Sequence, residues 1–217
     1  MATSASRVPY LRVVSGASAL DEDVQMRRGL ARGERWATAA IWKRFAPRVF
    51  AMLSQGLGRA SDAEDLTQDV LLSVFREGEG ARRAKGLAAL VYGETARVLT
   101  RELRREARRR LWGRSTHLRS FELLGAADAT ERAALHRLYA LLDQLSAEDR
   151  VLFVLHQVEG LGELDIAEAL ELSLPKLRKR ISRLLDKVQR RVECDPVLEA
   201  CLSNEPRPAE RDLREGA

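Results

Sequence analysis

The chain has 217 residues, of which 45% are hydrophobic, 32% charged and only 5% aromatic, and it carries a formal net charge of +5. That length suits one large cored domain or two small ones, and the abundance of Leu, Ala, Arg and Glu, all strong helix formers, points to an all-α protein rather than a sheet protein. No apolar run reaches the length of a membrane span, the N-terminus lacks the layout of a secretory signal, and the two cysteines, Cys194 and Cys201, fit neither a disulfide framework nor a zinc site.

A cytoplasmic protein without membrane insertion is therefore expected. Residues 1–23 are small and polar and read as a disordered N-terminal tail. In 24–57 the apolar positions Leu30, Trp36, Ala40, Ile41, Phe45, Val49, Phe50 and Leu53 recur at helical spacing. Pro47 and the Gly56/Gly58 pair interrupt them, so the segment holds two helices or one kinked helix. Ser61-Asp62-Ala63-Glu64 is a capping-box signature. Behind it Leu66, Val70 and Val74, flanked by Leu71 and Phe75, make a buried stripe, and the acidic residues fall on the other faces.

Residues 77–86 contain three glycines and read as a loop. Leu87, Leu90, Val91, Val98 and Leu103 then drive a long helix with a basic distal end, completing a first domain over 24–112. Residues 113–132 lack a sustained period and read as a linker. Helical pattern resumes with Leu135, Leu138, Leu141, Leu142 and Leu145, and Ser146-Ala147-Glu148-Asp149 is a second capping box ahead of Val151, Leu152, Leu155 and Val158. Gly160 can close that helix. A short helix over 163–170 precedes one over 174–192 that Ser173 would cap and Pro175 would open, since a first-turn proline forfeits no helical hydrogen bond. Two helices joined by about three residues, the second basic at its start, have the layout of a helix-turn-helix. This gives a second domain over 133–193 and a tail over 194–217 with an appended helix fragment.

Charge is sorted into blocks. Residues 97–114 carry eight arginines against Glu102 and Glu106, a local net of +6. Residues 171–191 carry eight basic residues against Glu171 and Asp186, again +6. Residues 61–70 carry Asp62, Glu64, Asp65 and Asp69 with no basic residue. Such sorting suits more than one kind of partner. His117, His136 and His156 are scattered, and there is no Gly-rich phosphate loop, catalytic triad or metal set, so neither enzymatic activity nor a cofactor is expected.

These residues resemble the extracytoplasmic-function sigma factors of bacterial RNA polymerase. The run Asp62-Ala63-Glu64-Asp65-Leu66-Thr67-Gln68-Asp69-Val70 is similar to the family's signature helix. Gly33-Glu34 and the segment 42–50 are similar to its first helix pair. Leu145-Ser146, Val158-Glu159-Gly160-Leu161, Ile166-Ala167 and Arg178-Lys179-Arg180 resemble its C-terminal promoter-reading domain. The resemblance spans about 24–192 and implies two small helical domains joined by a linker, the C-terminal one a helix-turn-helix. It also implies core RNA polymerase and promoter DNA as partners, and an anti-sigma factor as the usual means of control.

By position, the resemblance implies that Gln68 and Asp69, with Asp65 nearby, dock on core polymerase. It assigns the helix after Leu87 to the minus-ten element, where Arg97, Arg101, Arg104, Arg105 and Arg108 are the candidate DNA-binding residues; the last four recur at spacings of three and four and form one stripe. It assigns the helix-turn-helix to the minus-thirty-five element, with Ser173, Lys176, Arg178, Lys179, Arg180 and Arg183 as candidates, while Leu177, Ile181 and Leu184 face the core. The sequence departs from the family in four places, one of them the loop 77–86, which has no aromatic ring on which a base could stack. Where an Arg-Asn pair followed by Asp is usual, it has Ala96-Arg97 and then Arg101; Leu90 stands for a usual Trp; and Glu171 replaces a turn glycine, which costs strain if that position needs positive φ. Two other readings stay open: a helix-turn-helix regulator that never joins polymerase and, because of Ala96-Arg97 and Arg101, a sigma-like adapter that docks without reading promoters.

Overall fold

The computed structural model describes residues 17–78, 86–112 and 129–203. The described residues are helical, with no strand among them. The N-terminal half comprises α1 (Ala17–Ala31), α2 (Arg35–Leu57), α3 (Ala63–Gly78) and α4 (Leu87–Leu111). The C-terminal half comprises α5 (Ala129–Leu142), α6 (Ala147–Phe153) running into a π-helical turn (Val154–Val158), α7 (Glu163–Ala169), α8 (Leu174–Glu193) and α9 (Pro196–Ser203).

The elements start and stop for local reasons. The chain breaks between α1 and α2 at Gly33, whose φ of +68° only glycine adopts without strain, while Pro47 lies inside α2 and does not end it. On α2 the residues Ala37, Ile41, Phe45, Val49 and Leu53, each four apart, form the buried seam. Trp36 and Trp42 lie off that seam and are about half exposed. The first capping box does not form: Ser61 Oγ donates to Asp62 Oδ1 and α3 begins at Ala63. The second does cap, with the Asp149 amide donating to Ser146 Oγ at 3.1 Å. Ser173 precedes α8 without a side-chain capping bond, and Pro175 occupies its first turn.

Some boundaries differ from the sequence reading. α1 begins within the segment expected to be a tail, α3 continues through Gly78 into the expected loop, and α5 begins at Ala129 inside the expected linker. Residues 1–16, 79–85, 113–128 and 204–217, which include the rest of that tail, loop and linker, lie outside the described residues.

The two halves share one buried core, with α4 packed against α2 and α3 on one side and α6 and α7 on the other. Gly93 permits the closest approach: a Cβ there would lie 2.6 Å from the carbonyl oxygen of Ala169. Polar contacts join the halves as well. The π-helical turn brings round Glu159, and Arg48 donates through Nε to Glu159 Oε2 (3.1 Å) and through its terminal nitrogen to the Glu159 carbonyl (2.9 Å). The Tyr139 hydroxyl donates to the Gln55 carbonyl at 2.9 Å. A relay of alternating charge runs from Arg59 to Glu106 (2.6 Å), from Glu106 to Arg110 (3.5 Å), from Arg110 to Asp143 (3.0 Å) and from Asp143 to the buried Arg150 (2.6 Å).

Candidate nucleic-acid interface

Three surfaces concentrate the residues singled out from the sequence. The first is α3. Ala63, Val70, Leu71 and Val74 are fully buried, which turns Glu64, Asp65, Gln68 and Asp69 to solvent. None of these four has an ion pair or side-chain hydrogen bond among the described residues. Acids in the first turn also oppose the positive end of the helix dipole, so the charge is placed without cost to the helix. Leu72, one turn beyond Gln68, is 46% exposed on α3. A shallow cavity of about 510 Å³ lined by Arg35, Trp36, Trp42 and Phe75 lies between α2 and α3. Sequence periodicity missed these exposed apolar groups; their signal was that Trp36 and Trp42 fall off the four-residue seam of α2.

The second surface is the distal half of α4. Arg97, Arg101, Arg104, Arg105 and Arg108 are all exposed. Most have acidic partners: Arg97 pairs with Glu94 (2.9 Å), Arg101 and Arg105 with Glu102 (3.2 and 2.8 Å), and Arg104 with Glu148 across the interface between halves. Arg97 stands apart from the others, lining a cavity of about 500 Å³ between α4 and α7 together with Leu90, Gly93, Leu164 and Glu168. Ala96 is buried and faces the core.

The third surface is α8. Leu177, Ile181 and Leu184 are buried, as their spacing implied. Lys176, Lys179 and Arg183, three and four residues apart, form one exposed stripe without an acidic partner among the described residues. Their neighbours are engaged: Arg178 donates through Nε to Glu163 Oε2 at 2.7 Å, and Arg180 donates through Nε and a terminal nitrogen to Asp149 Oδ1 at 3.0 and 2.9 Å. Ser173 is exposed at the start of the helix. The turn before α8 holds Glu171 at φ +53°, the left-handed conformation that a glycine would adopt freely.

Two titratable groups near these surfaces are perturbed. Glu148 is held below its ordinary value by a hydrogen bond from its own backbone amide and then by Arg104, with partial burial opposing. Tyr92, under the Arg48 guanidinium at 5.4 Å, is pushed up, chiefly by burial of its hydroxyl. Among the described residues no group of His, Cys, Asp and Glu is arranged to hold a metal ion. Cys194 is exposed and free, and no described helix is long and apolar enough to cross a membrane.

Comparison with known proteins follows this division. The model of sigma-70 region 2 matches residues 41–109 and that of sigma-70 region 4 matches residues 135–188, together more than half of the chain. The ECF RNA polymerase sigma factor SigE of Mycolicibacterium smegmatis is 28% identical over 147 residues, which are 65% of this chain and 56% of that protein, so the chain spans little more than half the length of this relative. A solved structure of CnrH in complex with the cytosolic domain of CnrY shares the fold, with a TM-score of 0.58 at 19% identity over 81% of this chain and 99% of that one. With region 2 supplied by α2 to α4 and region 4 by α5 to α8, in the order read from the sequence, the chain belongs to the sigma-70 family, as an extracytoplasmic-function sigma factor.

Proposed function

We propose that this chain is an alternative sigma factor that binds core RNA polymerase and directs promoter-specific transcription initiation. The observation that carries the reading is the segregation of charge onto separate helices of one fold: an unpaired acidic face on α3 and two basic, DNA-sized helices, α4 and α8. Asp65, Gln68 and Asp69 are the docking residues, because a negative face meeting a basic partner steers and orients binding. The arginines of α4 act at the minus-ten element and the basic residues of α8 at the minus-thirty-five element. The protein works as a cytoplasmic specificity subunit, without chemistry or a cofactor of its own, and an anti-sigma protein is its natural antagonist.

Promoter reading by both helices requires a change of shape. Elements about 25 base pairs apart are separated by roughly 85 Å of duplex at about 3.4 Å per pair. Here α4 touches α6 and α7 directly, so the halves part when the protein engages a promoter. Docking on polymerase supplies the free energy for that separation.

Gel filtration of the chain with core polymerase tests the reading. Co-migration is expected, with at least a roughly tenfold loss of affinity in the Gln68→Ala/Asp69→Ala variant and unchanged helicity. Absence of co-migration favours a free-standing helix-turn-helix regulator. One observation favours a second reading: Ala96 is buried and offers no base contact where an arginine is usual. If the protein co-migrates with core polymerase but the holoenzyme yields no specific start, it is a polymerase-binding adapter.

A further inference from the structure

Arg180 sits among the cations of the recognition helix, yet its surroundings differ from theirs. Two of its N–H groups converge on a single oxygen of Asp149, at 3.0 and 2.9 Å. Both side chains are partly withdrawn from water, Arg180 being 37% exposed and Asp149 27%. By contrast Arg178 is 62% exposed in its pair with Glu163, a surface contact that exchanges readily for a phosphate. Lys176, Lys179 and Arg183 have no acidic partner to leave among the described residues.

Asp149 is itself fixed. Its amide is held by Ser146 Oγ, in the first turn of α6, so the carboxylate projects from a capped and rigid helix start. α6 belongs to the support of the helix-turn-helix rather than to its two crossing helices. The Arg180–Asp149 contact therefore ties the N-terminal half of α8 to that support, beside the buried Leu177 and Ile181. A charge-assisted contact made by two donors fixes direction as well as distance.

Resting on the promoter-reading function proposed above, we infer that Arg180 is a positioning residue, which sets the angle of α8 through Asp149, and that sequence is read by the stripe Lys176, Lys179 and Arg183. The two roles give opposite signs for one substitution. If Arg180 touched DNA, Asp149→Asn would remove a competing negative charge and leave DNA affinity unchanged or raised. As a positioning pair, the loss of either partner misdirects the whole helix and lowers specific affinity.

The test selects duplexes from a random pool with reconstituted holoenzyme. Affinity is then measured for the selected site and for unrelated DNA, with circular dichroism confirming the fold of each variant. Asp149→Asn and Arg180→Ala should each weaken specific binding roughly tenfold, the double variant no further, because partners of one contact are not additive. Discrimination should fall across the whole upstream element, whereas Lys179→Ala should relax it at one or two base pairs. The charge-swapped Asp149→Arg/Arg180→Asp protein should recover part of the loss. Unchanged or tighter binding by Asp149→Asn, or loss of discrimination at a single base pair in Arg180→Ala, overturns the inference. An equal loss for Arg180→Ala on all DNA with a salt slope lower by about one, marking a phosphate contact, does so too. If the unaltered holoenzyme selects no sequence, the promoter-reading function fails and the inference falls with it. If the swapped protein does not fold, the opposite signs predicted for Asp149→Asn still decide.

Discussion

The distal half of α4 and the helix α8 have the same local net charge of +6 by sequence, but the fold surrounds them differently. Along α4 the arginines meet acids on their own helix, Glu94 and Glu102, and on the other half of the protein, Glu148 and Asp143. Along α8 the stripe Lys176, Lys179 and Arg183 meets none among the described residues, whereas the flanking Arg178 and Arg180 pair with acids. A count of charges cannot separate these cases. What binds phosphate is charge without a closer counter-ion, and by that measure α8 is ready for DNA in the packed state whereas α4 is partly neutralised. This matches the division of labour proposed: duplex recognition needs a standing field, while the minus-ten helix acts after polymerase has parted the halves.

Charge removal breaks or sharpens the comparison most strongly. Replacing Lys176, Lys179 and Arg183 together by Ala should lower affinity for unrelated duplex, where with no cognate bases to read they pair with phosphates, by more than about tenfold at low salt and reduce the salt slope there by roughly three. The matching Arg101, Arg105 and Arg108 replacement should cost about threefold or less, because Arg101 and Arg105 already have Glu102 as a closer counter-ion than any phosphate. Fluorescence anisotropy across a salt series measures both. Equal losses would show that the ion pairs of α4 do not shield it.

A wedge between the halves comes next. Gly93→Ala places a methyl group 2.6 Å from the Ala169 carbonyl oxygen, and helix backbone on both sides cannot yield locally. Chemical denaturation should show a loss of about 1–3 kcal/mol, as overpacking costs. The folded variant should also bind DNA through α4 more readily, since Arg104 moves away from Glu148. Smaller again is the turn before α8. Glu171→Gly should stabilise the protein by about 1 kcal/mol in thermal unfolding, by removing a left-handed non-glycine residue at φ +53°.

The smallest effect is that of pH on Glu148, whose carboxyl is stabilised first by its own backbone amide and then by Arg104. Because the Glu148 carboxyl is depressed in the folded state, its contribution is fully present above its ordinary value of 4.5 and is lost as pH falls through the lowered one. Unfolding measured from pH 7 downward should therefore show a loss below the ordinary carboxylate range that Glu148→Gln lacks. The same substitution at neutral pH should raise affinity for duplex DNA, by freeing Arg104.

Much of this was legible because periodicity and capping are local. The seam of α3, the buried set Leu177, Ile181 and Leu184, the Ser146 cap and the strained Glu171 all follow from residues a turn or two apart. The partners of the cations were not legible. Arg180 lies 31 residues from Asp149 and Arg104 lies 44 from Glu148, and spacing carries no information about such contacts until the halves are packed. The exposure of Trp36 was not legible either, since an apolar residue beside a seam is indistinguishable by composition from one within it. Ser61 failed as a cap because Asp62, one residue later, took the position next to the first turn of α3.

Run-off transcription with reconstituted core polymerase tests the central claim most directly, with the DNA upstream of this protein's own coding sequence, or a duplex selected by the holoenzyme, as template. The account predicts a unique start that appears only when the chain is added, and that is lost with Gln68→Ala/Asp69→Ala and with the Lys176, Lys179 and Arg183 triple replacement. The same transcripts from core enzyme alone, or a start that survives both variants, would contradict it.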